Sequence, residues 1–413
     1  MLIVYRILIN FVFILSPIIL IVRLLKKKED FSRFKEKFCF FSKKRRNGKI
    51  IWFHGASVGE LQSVVPILEI LEKNKKIHQI LITSNTLSSA KIIQKLKLRK
   101  VTHQFYPIDT NFLSKKFIDY WKPSSVFFID SEIWPNMVKN LKIQNIPIML
   151  LNGRITKKTF NKWRLFPKLS KKIFSNFDSC LASSKESNNY LKKLGAKKTK
   201  YVGNLKFAQS ENEKITIDKK IKNIIISRKT WCASSTHNSE EIFCAKIHIQ
   251  LKKKYPNLLT IIIPRHIERA ASIVNELNDM NLKTHLYDSK DKMKSDAEII
   301  IVNSYGKTKS IYSICKNIFL GGSLVNHGGQ NPLEATRYGC NILHGPHVSN
   351  FKEIYKFLKM KKISYQTNNE LKTINKLYQL FKRKNSSLKK QRQLSLIGKK
   401  ILNFTCKEID LLL

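Results

Sequence analysis

Residues 49–73 read "KIIWFHGASVGELQSVVPILEILEK": an apolar run, a glycine-containing turn and a helical pattern of apolar residues. The run is typical of a strand buried on both faces, and the later apolar residues recur with helical spacing. Ser57 and Glu60 have the S-x-x-E spacing of a capping box. Gly55 and Gly59 allow the backbone to approach a ligand closely. The stretch therefore indicates an α/β fold, and it leaves two roles open for Glu60, helix capping and catalysis.

The same alternation of apolar runs and helical patterns continues along the chain. In the first half the runs are "QILITS", "SSVFFID" and "IPIMLLN". In the second half they are "TWCASS", "LLTIIIP", "EIIIVN", "KNIFLGGS" and "CNILHGP". Strands that alternate with helices predict parallel sheets covered on both faces, with ligands at the carboxyl ends of the strands. We therefore expect two doubly wound domains with a cleft between them.

These patterns divide the chain into five predicted parts. They are an N-terminal membrane anchor (1–25), a basic aromatic membrane-proximal segment (26–48), a first Rossmann-like domain (49–206), a second Rossmann-like domain (207–385) and a C-terminal helix (386–413). By analogy with other two-domain folds of this kind, we expect the last helix to pack back on the first domain.

The N-terminus predicts membrane attachment. Residues 7–22 carry no charge, Arg6 and Arg23 bracket them, and Pro17 lies in the middle. A tilted span and a helix lying in the membrane interface are both open. The lysines that follow place the rest of the chain in the cytoplasm by the positive-inside rule. Phenylalanines alternate with cations in residues 26–48, which favours contact with anionic lipid.

The charge and the cysteines restrict the function classes. The formal net charge is +48, but most of the 77 basic residues are lysines spread along the whole chain. Sequence-specific nucleic-acid sites favour arginine, so we expect no nucleic-acid partner and a preference for anionic lipid and phosphorylated ligands. The seven cysteines form no C-x-x-C pair, which argues against a disulfide framework and a zinc ribbon. A reducing compartment fits this pattern.

Two further strand ends in the first half carry polar residues. In "FFIDSEIWPN" Asp130 and Glu132 follow a strand, and two close carboxylates suit acid–base chemistry. The alternative is that Ser131 caps a helix and both acids are solvated. In "LLNGRI" Arg154 is positioned either to meet an anionic group or to lie on the surface.

The second half offers two candidate anion-binding segments after strands. "CASSTHNSEE" (232–241) predicts a helix start at Ser235, Thr236 and His237, with two glutamates in the first turn. In "IIIPRHIER" Arg265 and His266 follow a strand directly, where a cation can bind a phosphate.

The segment "LGGSLVNHGGQNPLEA" (320–335) is the strongest single signal. Its four glycines predict a flexible loop, and Asn331 can cap a helix that begins at Pro332. Free N–H groups at that start would form an anion site, and Glu334 would reach a pair of hydroxyls. The segment does not match a P-loop.

Together these blocks resemble the transferases of 3-deoxy-D-manno-octulosonic acid (Kdo), from the N-terminal anchor to about residue 360. The matching blocks are "IWFHGASVGE", "SEIWPN", "LNGRI", "GNLKF", "SSTHNSEE", "PRHIER", "GGSLVNHGGQNPLEA" and "GPHVSNFKEI". The resemblance implies a GT-B fold and inverting transfer of Kdo from CMP-Kdo to the lipid A precursor, lipid IVA, in lipopolysaccharide biosynthesis. It also implies the cytoplasmic face of a bacterial inner membrane.

The resemblance also implies roles for individual residues. Glu60 matches the general base, and Glu132 is grouped with it as catalytic. The first domain would bind the acceptor through Ser57, Gly59 and Arg154. The second would bind the donor, and the donor-binding residues are predicted to be Lys206, Ser235, Thr236, Arg265, His266, Gly321, Gly322, Ser323, Asn331 and Glu334. No metal or other cofactor is expected, because cations and N–H donors would neutralise the departing CMP.

Four positions depart from the family pattern. The mildest change is Asp130, which replaces the first glutamate of a Glu-x-Glu pair. The family usually has D-T-x-G-E where this chain has Asn303 and Lys307 at the acidic positions, and Ala208 replaces an aspartate. These changes leave open an inactive relative, or a GT-B transferase that uses another nucleotide sugar. A membrane-tethered nucleic-acid-binding protein is the alternative from a different class.

Overall fold

The structure is a computed structural model that describes residues 2–209, 219–287, 296–383 and 387–413. The chain forms two compact units. One contains Met1–Ser210 together with Ile397–Leu413, and the other contains Glu211–Leu396.

The first unit is built on a parallel sheet of seven strands in the order β3-β2-β1-β4-β5-β6-β7. The strands are β1 (Ile50–His54), β2 (Gln79–Ser84), β3 (Val101–Phe105), β4 (Ser125–Ile129), β5 (Ile148–Gly153), β6 (Ser179–Ala182) and β7 (Thr199–Tyr201). Strand β1 is buried throughout and its side chains alternate between two cores. Trp52 packs in one core, whereas Ile51 and Phe53 pack in the other. Helices therefore cover both faces, as predicted.

The helices of this unit, apart from the first, follow the strands along the chain. They are α1 (Leu2–Leu25), α2 (Val58–Glu72), α3 (Leu87–Lys95), α4 (Asn111–Trp121), α5 (Pro135–Ile143), α6 (Lys157–Arg164), α7 (Pro167–Phe174) and α8 (Lys185–Leu194). Helix α5 begins at Pro135 with Trp134 before it, so the suggestion that Ser131 caps a helix is wrong.

The second unit has its own parallel seven-stranded sheet, in the order β10-β11-β9-β8-β12-β13-β14. Its strands are β8 (Lys229–Thr236), β9 (Leu258–Pro264), β10 (Thr284–Tyr287), β11 (Ile299–Val302), β12 (Asn317–Leu320), β13 (Asn341–His344) and β14 (Ser364–Gln366). Its helices are α9 (Lys219–Ser227), α10 (Glu240–Lys252), α11 (Ala270–Asn278), α12 (Thr308–Ile314), α13 (Leu333–Arg337), α14 (Lys352–Met360) and α15 (Glu370–Lys382).

The last helix, α16 (Ser387–Asp410), contributes to both units, and its part from Ile397 onward belongs to the first. There Ile401 and Ile409 are buried in the core cluster that contains Phe53. A Cβ at Gly398 would stand 2.3 Å from the carbonyl oxygen of Phe207, so this close approach requires glycine.

Each sheet has a switch point near its centre, where the strand order reverses. In the first it lies between β1 and β4, and in the second between β8 and β12. A crevice outside the carboxyl ends of the strands is expected there. The turns that follow these four strands carry most of the candidate site residues.

Helix α1 is the one helix in the described part of the chain that is long and apolar enough to cross a membrane. It nevertheless contacts the first unit along its length. Near its start the Tyr5 hydroxyl donates to Asp109 Oδ2 at 2.7 Å. In the middle Phe13 packs against that unit's core, and near the end Arg23 pairs with Glu29 at 2.6 Å.

The contact face of α1 has heptad spacing. Its buried or half-buried residues are Leu2, Tyr5, Arg6, Ile9, Phe13, Ser16, Leu20, Arg23 and Leu24. The other faces leave large apolar side chains exposed, and these are Ile3, Val4, Ile7, Leu8, Phe11, Val12, Ile14, Leu15, Ile18, Ile19, Ile21, Val22 and Leu25.

Candidate functional site

Glu60 lies in the first turn of α2, directly after the turn that ends β1. Its carboxylate accepts hydrogen bonds from Ala56 N at 2.7 Å and from the Ser57 hydroxyl at 2.8 Å. The Ser57 hydroxyl in turn accepts from Glu60 N at 3.4 Å, and the reciprocal bond completes a capping box. The prediction that Glu60 caps its helix is confirmed.

The environment of Glu60 also adjusts its acidity. Burial raises the pKa of Glu60 to about 7, and the nearby negative charges of Glu132 and Asp130 act in the same direction. Hydrogen bonds from Ser57 and Ala56 oppose the rise. A carboxylate with a pKa near neutrality is suited to take up a proton during a reaction at physiological pH.

Glu132 belongs to a hydrogen-bonded group at the switch point between β1 and β4. The Trp134 indole N–H lies 3.0 Å from Glu132 Oε2 and 3.1 Å from His54 Nε2. His54 is fully buried, stacks on Tyr106 at 3.9 Å between ring centroids, and is 3.3 Å from Glu132 Oε2. Sequence reasoning missed His54, although its place as the last residue of β1 was a usable signal.

The alternative that Asp130 is a solvated acid is wrong. Asp130 is buried, has a left-handed backbone (φ 59°), and accepts a hydrogen bond from Asn152 Nδ2 at 2.6 Å. Burial is the main cause that raises the pKa of Asp130, and the positive charges of Lys206 and Arg154 oppose it. Its proximity to Glu132 is the smallest of these influences.

Lys206 lies in the first unit, close to this group. Its ammonium would be 3.9 Å from a Cβ placed on Gly59, the residue before Glu60. Sequence reasoning predicted Lys206 as donor-binding and Gly59 and Arg154 as acceptor-binding. The structure brings all three to the carboxyl end of the first sheet.

In the second unit, β8 continues through Thr236, so the predicted helix start at Ser235 and Thr236 is wrong. Helix α10 begins at Glu240, and Ser239 precedes it. Ser235 has a left-handed backbone (φ 57°), and the Thr236 carbonyl accepts a hydrogen bond from Arg265 N at 3.0 Å. The buried Thr236 hydroxyl has no hydrogen-bond partner. Thr236 and Arg265 are thus neighbours at the carboxyl end of this sheet.

Three histidine rings lie close together at the carboxyl end of the second sheet. The His237 ring lies 4.4 Å from the His327 ring and 6.4 Å from the His266 ring, between centroids. Burial is the main cause that lowers the pKa of His237. His327 was not predicted as a site residue, although it lies within the quoted glycine-rich segment.

The loop after β12 is held tightly. A Cβ on Gly321 would be 2.4 Å from the Ser235 carbonyl oxygen, which explains the glycine. The Ser323 hydroxyl donates to Leu320 O and accepts from Gly345 N at 2.8 Å. The N–H groups of residues 322–324 are occupied by the carboxylate of Glu240.

The end of this loop differs slightly from the prediction. Helix α13 begins at Leu333 and has five residues, so the predicted start at Pro332 is wrong by one position. Asn331 Oδ1 accepts a hydrogen bond from Leu333 N at 3.1 Å. Glu334 lies close enough to Tyr312 to contribute to the raised pKa of its hydroxyl, which is mainly due to burial. Across the described residues, no group of three or more His, Cys, Asp and Glu side chains is arranged to hold a metal ion.

Known proteins are similar in sequence to this chain. Residues 32–209 match the family described as 3-deoxy-D-manno-octulosonic-acid transferase (kdotransferase). The 3-deoxy-D-manno-octulosonic acid transferase of Rickettsia bellii is 32% identical over 382 residues, which cover 91% of this chain and 90% of the relative. The chain belongs to the Kdo transferase family. Membership makes it a glycosyltransferase, as the resemblance of its motifs implied.

Another relative agrees with this placement, and solved structures show the fold. The probable mitochondrial Kdo transferase of Arabidopsis thaliana is 30% identical over 82% of this chain and 78% of its own length. UDP-GlcNAc 2-epimerase from Neisseria meningitidis has a TM-score of 0.58 at 15% identity, over 87% of this chain and 100% of its own. Anabaena HepE has a TM-score of 0.55 at 10% identity, over 88% and 99%. These structures share the two-sheet GT-B fold, so the predicted fold class is confirmed.

Proposed function

We propose that the protein transfers Kdo from CMP-Kdo to a hydroxyl of the lipid A precursor, with Glu60 as the general base. The proposal rests on the position of Glu60. In this member of the family Glu60 is a half-buried carboxylate at a sheet switch point, and its pKa is raised to about 7. Such a group is ionised in about half of the molecules near neutral pH and gains a proton readily.

The reaction requires a single displacement at the anomeric carbon of the donor. The Glu60 carboxylate takes the proton of the acceptor hydroxyl, whose oxygen forms the new bond to that carbon. The bond from the carbon to the CMP phosphate oxygen breaks, and CMP leaves with the electron pair. One displacement inverts the anomeric configuration. Glu60 then releases its proton to solvent.

Lys206 and Arg154 would assist at the acceptor end. Both are cations close to Asp130 on the first sheet, beside the turn that carries Glu60. A phosphorylated acceptor brings negative charge to this place, and lysine and arginine neutralise phosphate oxygens well. We therefore assign Lys206 to the acceptor side of the reaction, which revises the donor-binding role predicted for it.

The second unit would bind the donor. Arg265 and the histidines around His237 lie at the carboxyl end of β8 and β9, close to the loop after β12. The Arg265 cation at this position would stabilise the charge that develops on the departing CMP phosphate. The partnerless hydroxyl of Thr236 is a further polar group available to the donor.

Helix α1 would hold the protein on the cytoplasmic membrane surface by lying in the interface. The Tyr5 hydroxyl near the start of α1 bonds to Asp109, and Phe13 in its middle packs against the core of the same unit. A helix whose start and middle both contact a unit on one side of the bilayer cannot also cross it. Its exposed apolar faces would enter the acyl region, and Lys26–Lys28 beside it would meet anionic headgroups.

Mass spectrometry of products tests the proposed function. The detergent-solubilised protein is incubated with CMP-Kdo and a tetraacylated lipid A precursor, beside an active Kdo transferase as control. We expect a mass gain of one or more Kdo residues, with inhibition by CMP and much weaker inhibition by UDP. Inhibition by UDP alone would indicate another nucleotide-sugar donor. Binding of CMP without any Kdo transfer would indicate an inactive relative. The loss of activity would then be assigned to the changes at Asn303 and Lys307.

A further inference from the structure

The buried carboxylate of Glu240 is surrounded by backbone N–H groups. Its Oε2 atom accepts from Gly322 N at 2.7 Å and from His237 N at 2.9 Å. Its Oε1 atom accepts from Leu324 N at 3.0 Å and from Ser323 N at 3.1 Å. The residue is only 1% exposed. One side chain thus joins the turn after β8 to the loop after β12.

This arrangement requires a carboxylate. Each carboxylate oxygen accepts from two N–H donors. In a glutamine one of these oxygens is replaced by an N–H₂ group, which would face two donors and could accept from neither. Hydrogen bonds to an ionised oxygen are about twice as strong as neutral ones, and a buried charge without them is very costly. Glu240 and the loop therefore stabilise each other's positions.

The position of Glu240 connects this contact to the predicted donor site. Thr236, with its free hydroxyl, ends β8 four residues before it, and His237 donates to it directly. The loop that it holds contains three predicted donor-binding residues, Gly321, Gly322 and Ser323. The carboxylate accepts hydrogen bonds from N–H groups that would otherwise be free to bind a phosphate. It acts as an internal anion, and the loop has its shape before any ligand arrives.

We propose that Glu240 is a positioning residue for the donor: it fixes residues 322–324 so that the outer part of the loop and the end of β8 receive the nucleotide sugar in a preformed site. This inference rests on the proposed function, in which the second unit binds CMP-Kdo. Glu240 itself makes no contact with the donor. Preorganisation of this kind lowers the cost of ordering a loop when ligand binds.

Two measurements on Glu240→Gln test the proposal. We expect amide hydrogen exchange at Gly322, Ser323 and Leu324 to become about tenfold faster or more, since charge-assisted bonds are lost. We also expect the KM for CMP-Kdo to rise by about tenfold or more, with kcat within about threefold, because the loss affects donor binding rather than bond breaking.

Glu241→Gln is the matched control. Glu241 is equally buried in the same helix, but its carboxylate pairs with Arg269 at 3.0 and 3.2 Å instead of the loop. Its loss should reduce thermal stability and leave both the exchange at residues 322–324 and the KM for CMP-Kdo unchanged. If the two variants change KM equally, Glu240 has only a structural role and the proposal is wrong.

Glu240→Asp keeps the test decisive if Glu240→Gln does not fold. The shorter side chain keeps its charge but cannot reach both pairs of N–H groups, so exchange and KM should change in the same direction. Unchanged values in this variant would overturn the proposal. Failure of the proposed function can be told apart from failure of this inference. In the first case the wild-type protein transfers no Kdo, while hydrogen exchange still reports on the contact between Glu240 and the loop. In that case calorimetric titration with CMP shows whether the loop positions a nucleotide.

Discussion

The Ser57 hydroxyl donates a 2.8 Å hydrogen bond to the Glu60 carboxylate and accepts one from the Glu60 backbone N–H at 3.4 Å. The capping box therefore contains the proposed catalytic base. Structural and chemical roles are combined in one side chain, because the bonds that begin helix α2 also hold the carboxylate in place. A change at Ser57 should consequently affect both stability and acidity.

Ser57→Ala should lower the free energy of unfolding by about 1 kcal/mol, the usual effect of losing a helix cap. The Ser57 hydrogen bond lowers the pKa of Glu60, so its loss should raise that pKa. Since the base must be ionised, the rising limb of kcat/KM against pH should move to higher pH. Ser184→Ala is the control, because Ser184 caps α8 through Ser187 N. It should lose similar stability with no shift of the limb.

Glu60→Gln should change how stability depends on pH. The folded-state pKa of Glu60, about 7, lies above its ordinary value of 4.5, so the folded protein binds this proton more tightly than the unfolded chain. The stability that the bound proton on Glu60 contributes is complete below pH 4.5 and is lost as the pH rises through 7. The free energy of unfolding of the variant, taken relative to that of wild type, should therefore be higher at pH 8 than at pH 4.5. Thermal unfolding at both values checks this, and a constant difference in Tm would contradict the raised pKa.

Labelling of α1 from each side of the membrane tests its orientation. An epitope tag placed before Met1 and a cysteine introduced by Lys27→Cys mark the two ends of α1. If the helix lies in the interface, both should be accessible only from the cytoplasmic side of sealed vesicles. Six of the seven natural cysteines are buried, so background labelling is low. A tag accessible only from the opposite side would show that α1 spans the membrane.

Removal of the Tyr5 hydroxyl tests the contact that fixes the start of α1. Tyr5→Phe deprives the buried Asp109 of one of its three donors, and the other two are Asn136 N and Met137 N. We expect a loss of about 1–3 kcal/mol in the free energy of unfolding, measured in detergent. Tyr201→Phe, at a residue that is 51% exposed, should change stability by less than about 0.5 kcal/mol.

Arg265→Ala should weaken donor binding. Its backbone contact with Thr236 remains, and only the cation is lost. A charged hydrogen bond is worth about 1.5–3 kcal/mol, so the KM for CMP-Kdo should rise roughly 10- to 100-fold. Lys253→Ala removes a charge from the exposed residue that follows α10 and should leave KM unchanged. Equal effects of the two variants would indicate general electrostatic attraction instead of a defined site.

The sequence predicted the fold well where strands are fully buried. β1, β2 and β9 have the bounds that their apolar runs indicated, because a strand covered on both faces is mostly apolar. The short strand β7 (Thr199–Tyr201) was missed because its residues are largely exposed and polar, as edge strands often are. Its pairing with β6 comes from tertiary context that local pattern does not contain.

The candidate site was predicted less completely, for a similar reason. The motifs correctly identified the turns after strands as the polar regions, and Glu60 with its capping partner was found. The contacts between turns were not accessible, because they depend on strand order. Glu240 is 82 positions from Gly322, and only the pairing of β8 with β12 brings the two together. His54 was overlooked because its partner Trp134 follows a strand that is distant in sequence.

The most direct test of the account compares wild type and Glu60→Gln in the transfer reaction itself. Both proteins are incubated with CMP-Kdo and the tetraacylated lipid A precursor, and the product is measured by mass spectrometry after each is shown to be folded and to bind CMP. We predict Kdo addition by wild type and a loss of at least about 100-fold in the variant, the usual contribution of a general base. Kdo addition at comparable rates by both proteins would leave Glu60 with its capping role alone and contradict the proposed mechanism.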